Sequence, residues 1–254
     1  MLEKREGAGH YFSPSPRSES RPRLIRHSAS GAALCFMTDN GVFSKGGVDF
    51  GSDLLIRSLP ALSGRVLDMC CGYGAIGISL KCLNPGIELH MADINERAIG
   101  LCRMNFELNC RGEPCALAGM AGCGRDGAAS VAGVSAAPGI ACATAVAGAS
   151  AEAGAAGGAN VIALSDGFER LSGKYDCIVM NPPIRAGKRN VFRLYRDSSL
   201  FLKPGGSLFV VMRKKHGLES SCGELRRLFG NCADVARKAG YHVLRAVKNE
   251  AEGD

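Results

Sequence analysis

The stretch 65–80, "RVLDMCCGYGAIGISL", constrains the fold more than any other. A short apolar run ends at an Asp, Gly72, Gly74 and Gly77 follow in quick succession, and the chain continues apolar at helical spacing to Asn84. A strand that must hand over at once to a helix packed against it needs a tight connecting loop, and glycine tolerates such a turn. Sheets assembled from strand–loop–helix units are parallel, with helices on their faces.

The rest of the chain repeats the unit. "IELHMAD" (87–93) reads as a second strand and "INERAIGLCRMNFELN" (94–109) as a second helix. "NVIALSD" (160–166) and "YDCIVM" (175–180) read as strands, followed by a helix near 190–202 and the strand "GGSLFVVM" (205–212). A helix around 217–229 precedes two closing strands, "CADVARK" (232–238) and "YHVLRAV" (241–247), with Ala239–Gly240 as a tight turn between them. The pattern predicts an α/β fold: a doubly wound, mostly parallel seven-stranded sheet, Rossmann-like, with an antiparallel terminal hairpin at one edge. Residues 112–160 stand apart. Ala, Gly and Ser dominate there without a sustained period, and such a stretch buries too little apolar surface to offset its ordering entropy. It reads as a low-complexity insertion with no assigned chemistry.

Composition narrows the function classes. The formal net charge of +7 leans toward a polyanionic partner, and part of the excess sits in the first 26 residues. The twelve cysteines lie mostly in apolar runs and never at C-x-x-C spacing, which points to reduced, buried thiols and away from zinc or thioredoxin chemistry; no metal site is expected. The opening residues lack a signal-peptide core and no run approaches membrane-span length, so a cytoplasmic protein is expected.

In doubly wound sheets, ligands bind beyond the carboxyl ends of the strands. Three predicted strands end there in carboxylates, at Asp68, Asp93 and Asp166. Gly72-x-Gly74-x-x-Gly77 matches the dinucleotide fingerprint, with Asp93 spaced to hold a ribose diol, so NAD is one reading. A carboxylate at Asp68 would sit poorly beside a pyrophosphate. It suits a cofactor carrying an ammonium and a sulfonium, while Asp166 is placed to accept from an adenine amino group. S-adenosylmethionine fits this pattern better than a dinucleotide.

"VMNPPIRAGKRN" (179–190) ends the fourth strand on the same edge. Two prolines cannot continue a ladder or a helix, so the chain leaves the sheet at Asn181. An exocyclic amine has its lone pair delocalised into a ring, and accepting both of its N–H groups frees that pair toward a methyl donor. Asn181 Oδ1 and the Pro182 carbonyl supply two acceptors, with Pro183 helping to fix the direction. Arg185, Lys188 and Arg189 follow, and Arg189, Arg193 and Arg196 share one helix face, forming a basic rim suited to phosphates.

With these residues in place, the chain resembles the class I S-adenosylmethionine-dependent methyltransferases of the methyltransferase small domain family, in particular the single-domain proteins grouped with the ribosomal RNA guanine-N2 methyltransferases. "HYFSPSP" (10–16), "TDNGVFSKGGVDFGSDLLI" (38–56), "VLDMCCGYGAIGISL" (66–80), "MADINERAI" (91–99) and "NPPIRAGK" (181–188) carry the resemblance. It implies that Asp68, Gly72 and Gly74 hold the methionine part of the cofactor, Asp93 the ribose and Asp166 the adenine. Cys70, Ile94 and Asn181 join the cofactor contacts, and Asn181, Pro182 and Pro183 receive the target amine. Residues 42–52 would fold over the cofactor, with Phe43 and Lys45 near the substrate mouth beside Arg185, Lys188, Arg189 and Arg193. It further implies an extension and cover over 1–60, a methyltransferase domain over 61–254, and ribosomal RNA or a small-subunit precursor as partner. Two departures stand out. Cys70 occupies the usual first glycine of the loop, where it is expected to belong still to the strand. Ile184 replaces an aromatic, which argues against an adenine-N6 target. A protein glutamine N5-methyltransferase and a non-catalytic RNA-binding protein are the alternatives.

Overall fold

The computed structural model describes residues 14–111 and 159–249. Most of the 112–160 insertion, the first part of "HYFSPSP" and the start of the basic N-terminal segment lie outside the described residues.

A seven-stranded sheet holds β3 (Arg65–Met69), β4 (Glu88–Asp93), β5 (Val161–Leu164), β6 (Tyr175–Met180), β7 (Leu202–Arg213), β8 (Ala233–Lys238) and β9 (Tyr241–Val247). Their spatial order is β5-β4-β3-β6-β7-β9-β8. The five strands from β5 to β7 run parallel, and β9 is antiparallel to both neighbours. The reversed strand therefore lies one place inside the edge rather than on it. The chain winds one way from β3 to β5 and the other from β6 onward, so the switch point falls between β3 and β6, where ligands bind in open α/β sheets.

Alternation along the strands decides which helix covers which face. Val66, Val179, Phe209 and Val211 pack with α1 (Phe50–Ser58), α2 (Ala75–Leu83) and α3 (Glu96–Phe106). Leu67, Ile178, Met180, Leu208 and Val210 pack with α4 (Lys188–Phe201) and α5 (Leu218–Phe229). Burial on both faces is why these strands read as nearly unbroken apolar runs.

A separate hairpin, β1 (Arg23–Ala29) and β2 (Ala32–Thr38), was not evident in the sequence. It turns through Ser30 and Gly31, both at positive φ, the geometry a two-residue hairpin turn requires. Its second strand is tied down by two side chains acting as a partner strand. Asn105 Oδ1 accepts from Met37 N at 2.6 Å and its Nδ2 donates to Met37 O at 3.0 Å. Asn109 repeats the exchange with Cys35 at 3.1 and 2.8 Å. Four-residue spacing along one helical face matches two-residue spacing along the strand. Ala29, Phe36, Val42 and Leu55 then enter the same core as Val66 and Ile78, so the packing is continuous across position 60.

Candidate active site

A cavity of about 680 Å³ opens at the carboxyl ends of β3, β4 and β6, at the switch point. Its walls gather most of the residues singled out from sequence: Cys70, Gly72, Asp93, Ile94, Asp166, Asn181, Pro182, Pro183, Arg185, Arg193 and Phe43. β-Register explains the convergence. Met69 pairs with Ala92 on one side and Met180 on the other, so the residues just after these strands stand side by side.

The glycine loop forms the floor. Gly72 has φ +57°, and a Cβ built on it would meet no atom within 4 Å, because that side opens into the cavity. Gly77 serves a different need: its Cβ would stand 2.7 Å from Met91 Sδ, so α2 rests on β4 at glycine distance. Gly74 caps α2 without a side-chain hydrogen bond, and Ala75 and Ile76 of the first turn line the cavity. Backbone N–H groups and the helix dipole there favour a carboxylate. Cys70 lies in the turn rather than in the strand, at φ +62°, a left-handed conformation that a non-glycine residue enters at a cost.

The acidic residues divide into distinct roles. Asp93 lines the cavity, with Oδ2 accepting from Gly72 N at 2.8 Å and Oδ1 from Asn95 N at 2.9 Å. Burial raises its pKa, against the pull of these N–H groups. Asp68 is fully buried and absent from the cavity wall. It sits under the loop, where Oδ2 accepts from Gly77 N at 2.7 Å and Oδ1 has no hydrogen-bond partner among the described residues. Burial pushes its carboxyl up to about 8. The carboxylate expected to hold the cofactor's methionine part thus stands beneath the cavity floor rather than in its wall. Asp166 lines the cavity in an ion pair with Arg193. That pairing takes Arg193 out of the free basic rim and brings it to the expected adenine end.

On the acceptor side, Asn181 Nδ2 donates to Ser52 Oγ at 3.0 Å and approaches Asp49 Oδ1 at 3.3 Å. Asp49 also caps α1, accepting from Gly51 N at 2.9 Å and Ser52 N at 3.1 Å. The Pro182 carbonyl accepts from Ile184 N at 2.9 Å, which fixes its direction and leaves it a second lone pair. Phe43, Tyr241, Arg213 and His216 complete this wall, and Arg213 stands over the Tyr241 ring at 5.5 Å. Lys45 does not join them: its Nζ donates to Asn40 Oδ1 at 2.7 Å, away from the cavity wall. Lys188 is exposed beside Lys214 at a second, smaller depression, and Arg189 is exposed. Arg213 and Tyr241 escaped notice in the sequence because they reach the site from distant segments, while Asp49 and Ser52 belong to the 42–52 segment expected over the cofactor but were not singled out as partners of Asn181. The Asp49-x-x-Ser52 N-cap spacing was the one local signal for that pair.

The residues fit S-adenosylmethionine. The first turn of α2, where Asp68 takes only the Gly77 N–H, suits its carboxylate through Ala75 and Ile76, Asp93 suits a ribose diol, and Asp166 with Arg193 the base, while the open face of Gly72 lets the backbone approach closely.

Comparison with known proteins agrees. The sequence profile of the methyltransferase small domain family matches residues 33–116 and 134–245. The Bacillus subtilis (strain 168) protein YbxB, itself uncharacterized, is 33% identical over 94% of this chain and 98% of its own length. Ribosomal RNA small subunit methyltransferase C of Hahella chejuensis is 30% identical over 84% of this chain and 50% of its own. Among solved structures, a Thermus thermophilus 16S rRNA N2 G1207 methyltransferase in complex with AdoMet and guanosine superposes with a TM-score of 0.65 at 23% identity, covering 92% of this chain and 52% of that one. The chain thus spans about half the length of the ribosomal RNA methyltransferases it matches. The profile match over most of its residues, together with the switch-point cavity, makes the chain a member of the methyltransferase small domain family and an S-adenosylmethionine-dependent methyltransferase.

Proposed function

We propose that the chain methylates an exocyclic amine of structured RNA, with guanine N2 of small-subunit ribosomal RNA as the target. One observation carries the reading: the Asn181 amide is oriented with its NH2 on Asp49 and Ser52, which leaves Oδ1 as an acceptor beside the Pro182 carbonyl. When bound, S-adenosylmethionine supplies an electrophilic methyl and a positive charge that is neutralised on transfer. The chain's own residues do the rest. Asn181 Oδ1 and Pro182 O accept the two amine N–H groups and turn the nitrogen lone pair toward the floor of the cavity, so positioning supplies most of the rate. No strongly basic group is required before transfer, since the amine sheds its proton, to solvent at the cavity mouth, only once the new bond makes it acidic.

RNA as substrate is supported by charge around the mouth. Arg185 and Arg213 line the cavity, and Lys188, Arg189, Lys214 and Lys215 stand exposed near it. Clustered cations of this kind serve phosphate contacts. Ile184 after the prolines gives no ring to stack on a flipped adenine. The ribosomal RNA methyltransferases among the relatives favour the same substrate, and the cytoplasm would be its place of action. Among the described residues no helix is long and apolar enough to cross a membrane.

Mass analysis of ribosomal RNA nucleosides from cells lacking this chain tests the proposal: one N2-methylguanosine should be lost and restored by the wild-type gene. Asn181→Ala should fail to restore it, with transfer reduced by about 100-fold or more and cofactor affinity changed by about 1 kcal/mol. An unchanged nucleoside profile, or full restoration by Asn181→Ala, overturns it.

A further inference from the structure

We propose that Asp49 is a positioning residue for methyl transfer: from the N-cap of α1 it holds the Asn181 amide in the one orientation that accepts from the incoming amine. The inference rests on the amine-transfer reading above. An amide side chain is almost symmetric in shape, so its neighbours decide which end faces the substrate. Asn181 meets Ser52 Oγ at 3.0 Å and the two Asp49 oxygens at 3.3 and 3.5 Å. An ionised carboxylate only accepts. Ser52 Oγ spends its proton on Asp49 Oδ1 at 2.6 Å and so presents a lone pair to Asn181. Both neighbours therefore demand Nδ2, and Oδ1 is left to the cavity.

The clamp is itself held. Asp49 Oδ2 takes the N–H groups of Gly51 and Ser52 in the first turn of α1, Ser52 is buried, and the Tyr241 ring stands 3.0 Å from where a Gly51 Cβ would lie. The carboxylate cannot swing away without uncapping the helix. Residues 132 and 129 positions apart in the chain are thereby locked to one another, and the cover segment that carries Asp49 is coupled to the acceptor group.

Asp49→Asn tests this because Asn caps helices as well as Asp does. Its carbonyl oxygen takes over the Gly51 and Ser52 N–H groups, which puts the new NH2 where Oδ1 was, facing Asn181 Nδ2. Two donors then oppose each other, the Asn181 amide turns over, and an NH2 points at the incoming amine.

Wild type, Asp49→Asn, Asn181→Ala and the double variant would be compared by transfer rate at saturating S-adenosylmethionine and ribosomal RNA, by cofactor Kd and by Tm. The Asn181 side-chain NH2 resonances, assigned by their loss in Asn181→Ala, would be followed by nitrogen-15 NMR. Asp49→Asn should lower kcat by about 10-fold or more, keep cofactor Kd within about twofold and Tm within about 3 °C, and shift the Asn181 amide resonances. The double variant should be no slower than Asn181→Ala alone, since the two act as a unit. Losses that multiply in the double variant, or an unchanged kcat with unmoved amide resonances, overturn the clamp. Absence of transfer by the wild type would refute the amine reading, and the resonances alone would then decide whether Asp49 fixes the amide.

Discussion

The two halves of the cavity are held together by different kinds of bond. On the cofactor side, two of the three carboxylates are pinned by backbone N–H groups close in sequence: Asp68 to Gly77, nine residues on, and Asp93 to Asn95 and Gly72, two and 21 residues away. On the acceptor side, Asn181 is held by side chains 132 and 129 residues away. Backbone-pinned carboxylates belong to the fold, so altering them changes stability and affinity together. A side-chain clamp adjusts one group's orientation, so altering it changes rate while the fold and cofactor site persist.

The largest expected effect that sharpens this contrast is at Asp68. Burial holds its carboxyl at about 8, well above the ordinary value of 3.8. A carboxyl raised in this way favours the folded state while protonated, and that contribution is lost as pH rises from about 4 through about 8. Asp68→Asn keeps an acceptor for Gly77 N–H and carries no charge. The variant should therefore gain stability relative to wild type as pH increases from 5 to 9, with a change in the gap on the order of a few kcal/mol. Urea unfolding of both proteins across this range measures it. A gap independent of pH would mean that Asp68 titrates normally and that its burial is not felt.

Asp93 should show the next largest effect. Asp93→Ala removes the acceptor proposed for the ribose diol and should weaken S-adenosylmethionine by about 10- to 100-fold by calorimetry, with some loss of Tm because Gly72 and Asn95 N–H lose their partner. Asp49→Asn should leave the same affinity almost unchanged. Equal losses of affinity in the two variants would erase the distinction between the halves.

Legibility in the sequence follows the same division. The seven strands of the main sheet, the glycine loop and the strand-end carboxylates were readable because each is signalled within a few residues, by alternation, by glycine or by an Asp at the end of an apolar run. The β1–β2 hairpin was missed because its second strand is completed by Asn105 and Asn109, whose pairing with Met37 and Cys35 crosses about 70 residues. The Asp166–Arg193 pair, 27 residues apart, was missed for a similar reason. Spacing along a helix shows which residues share a face, but not which partner occupies it. Position inside the sheet was also beyond local reading: β8 and β9 read as a hairpin, but the turn between them does not say which of the two pairs with β7.

The basic residues allow a smaller test. Arg189 is exposed and Arg193 is bound to Asp166, although the two lie on one helix face. Arg189→Gln should reduce the slope of log affinity for ribosomal RNA against log salt by about one. Arg193→Met should leave the slope unchanged and weaken the cofactor by no more than about fivefold, the scale of a half-exposed ion pair. Equal changes in slope would place both on the RNA.

The smallest effect concerns Cys70, on the cofactor side, where the loop backbone takes a left-handed turn. Its φ of +62° costs a non-glycine residue about 1 kcal/mol. Cys70→Gly removes that strain, but it also gives the unfolded chain more freedom, by about 0.4–1 kcal/mol, so the two nearly cancel. The side chain also contributes packing beneath α4. The net change in stability should therefore be within about 1 kcal/mol. Cys70→Val keeps a side chain but adds a β-branch where left-handed backbone tolerates it least. It should fall below the Gly variant by about 1–2 kcal/mol. Denaturant titration of both variants separates backbone from packing. If Val equals or exceeds Gly, side-chain packing outweighs the turn at this position.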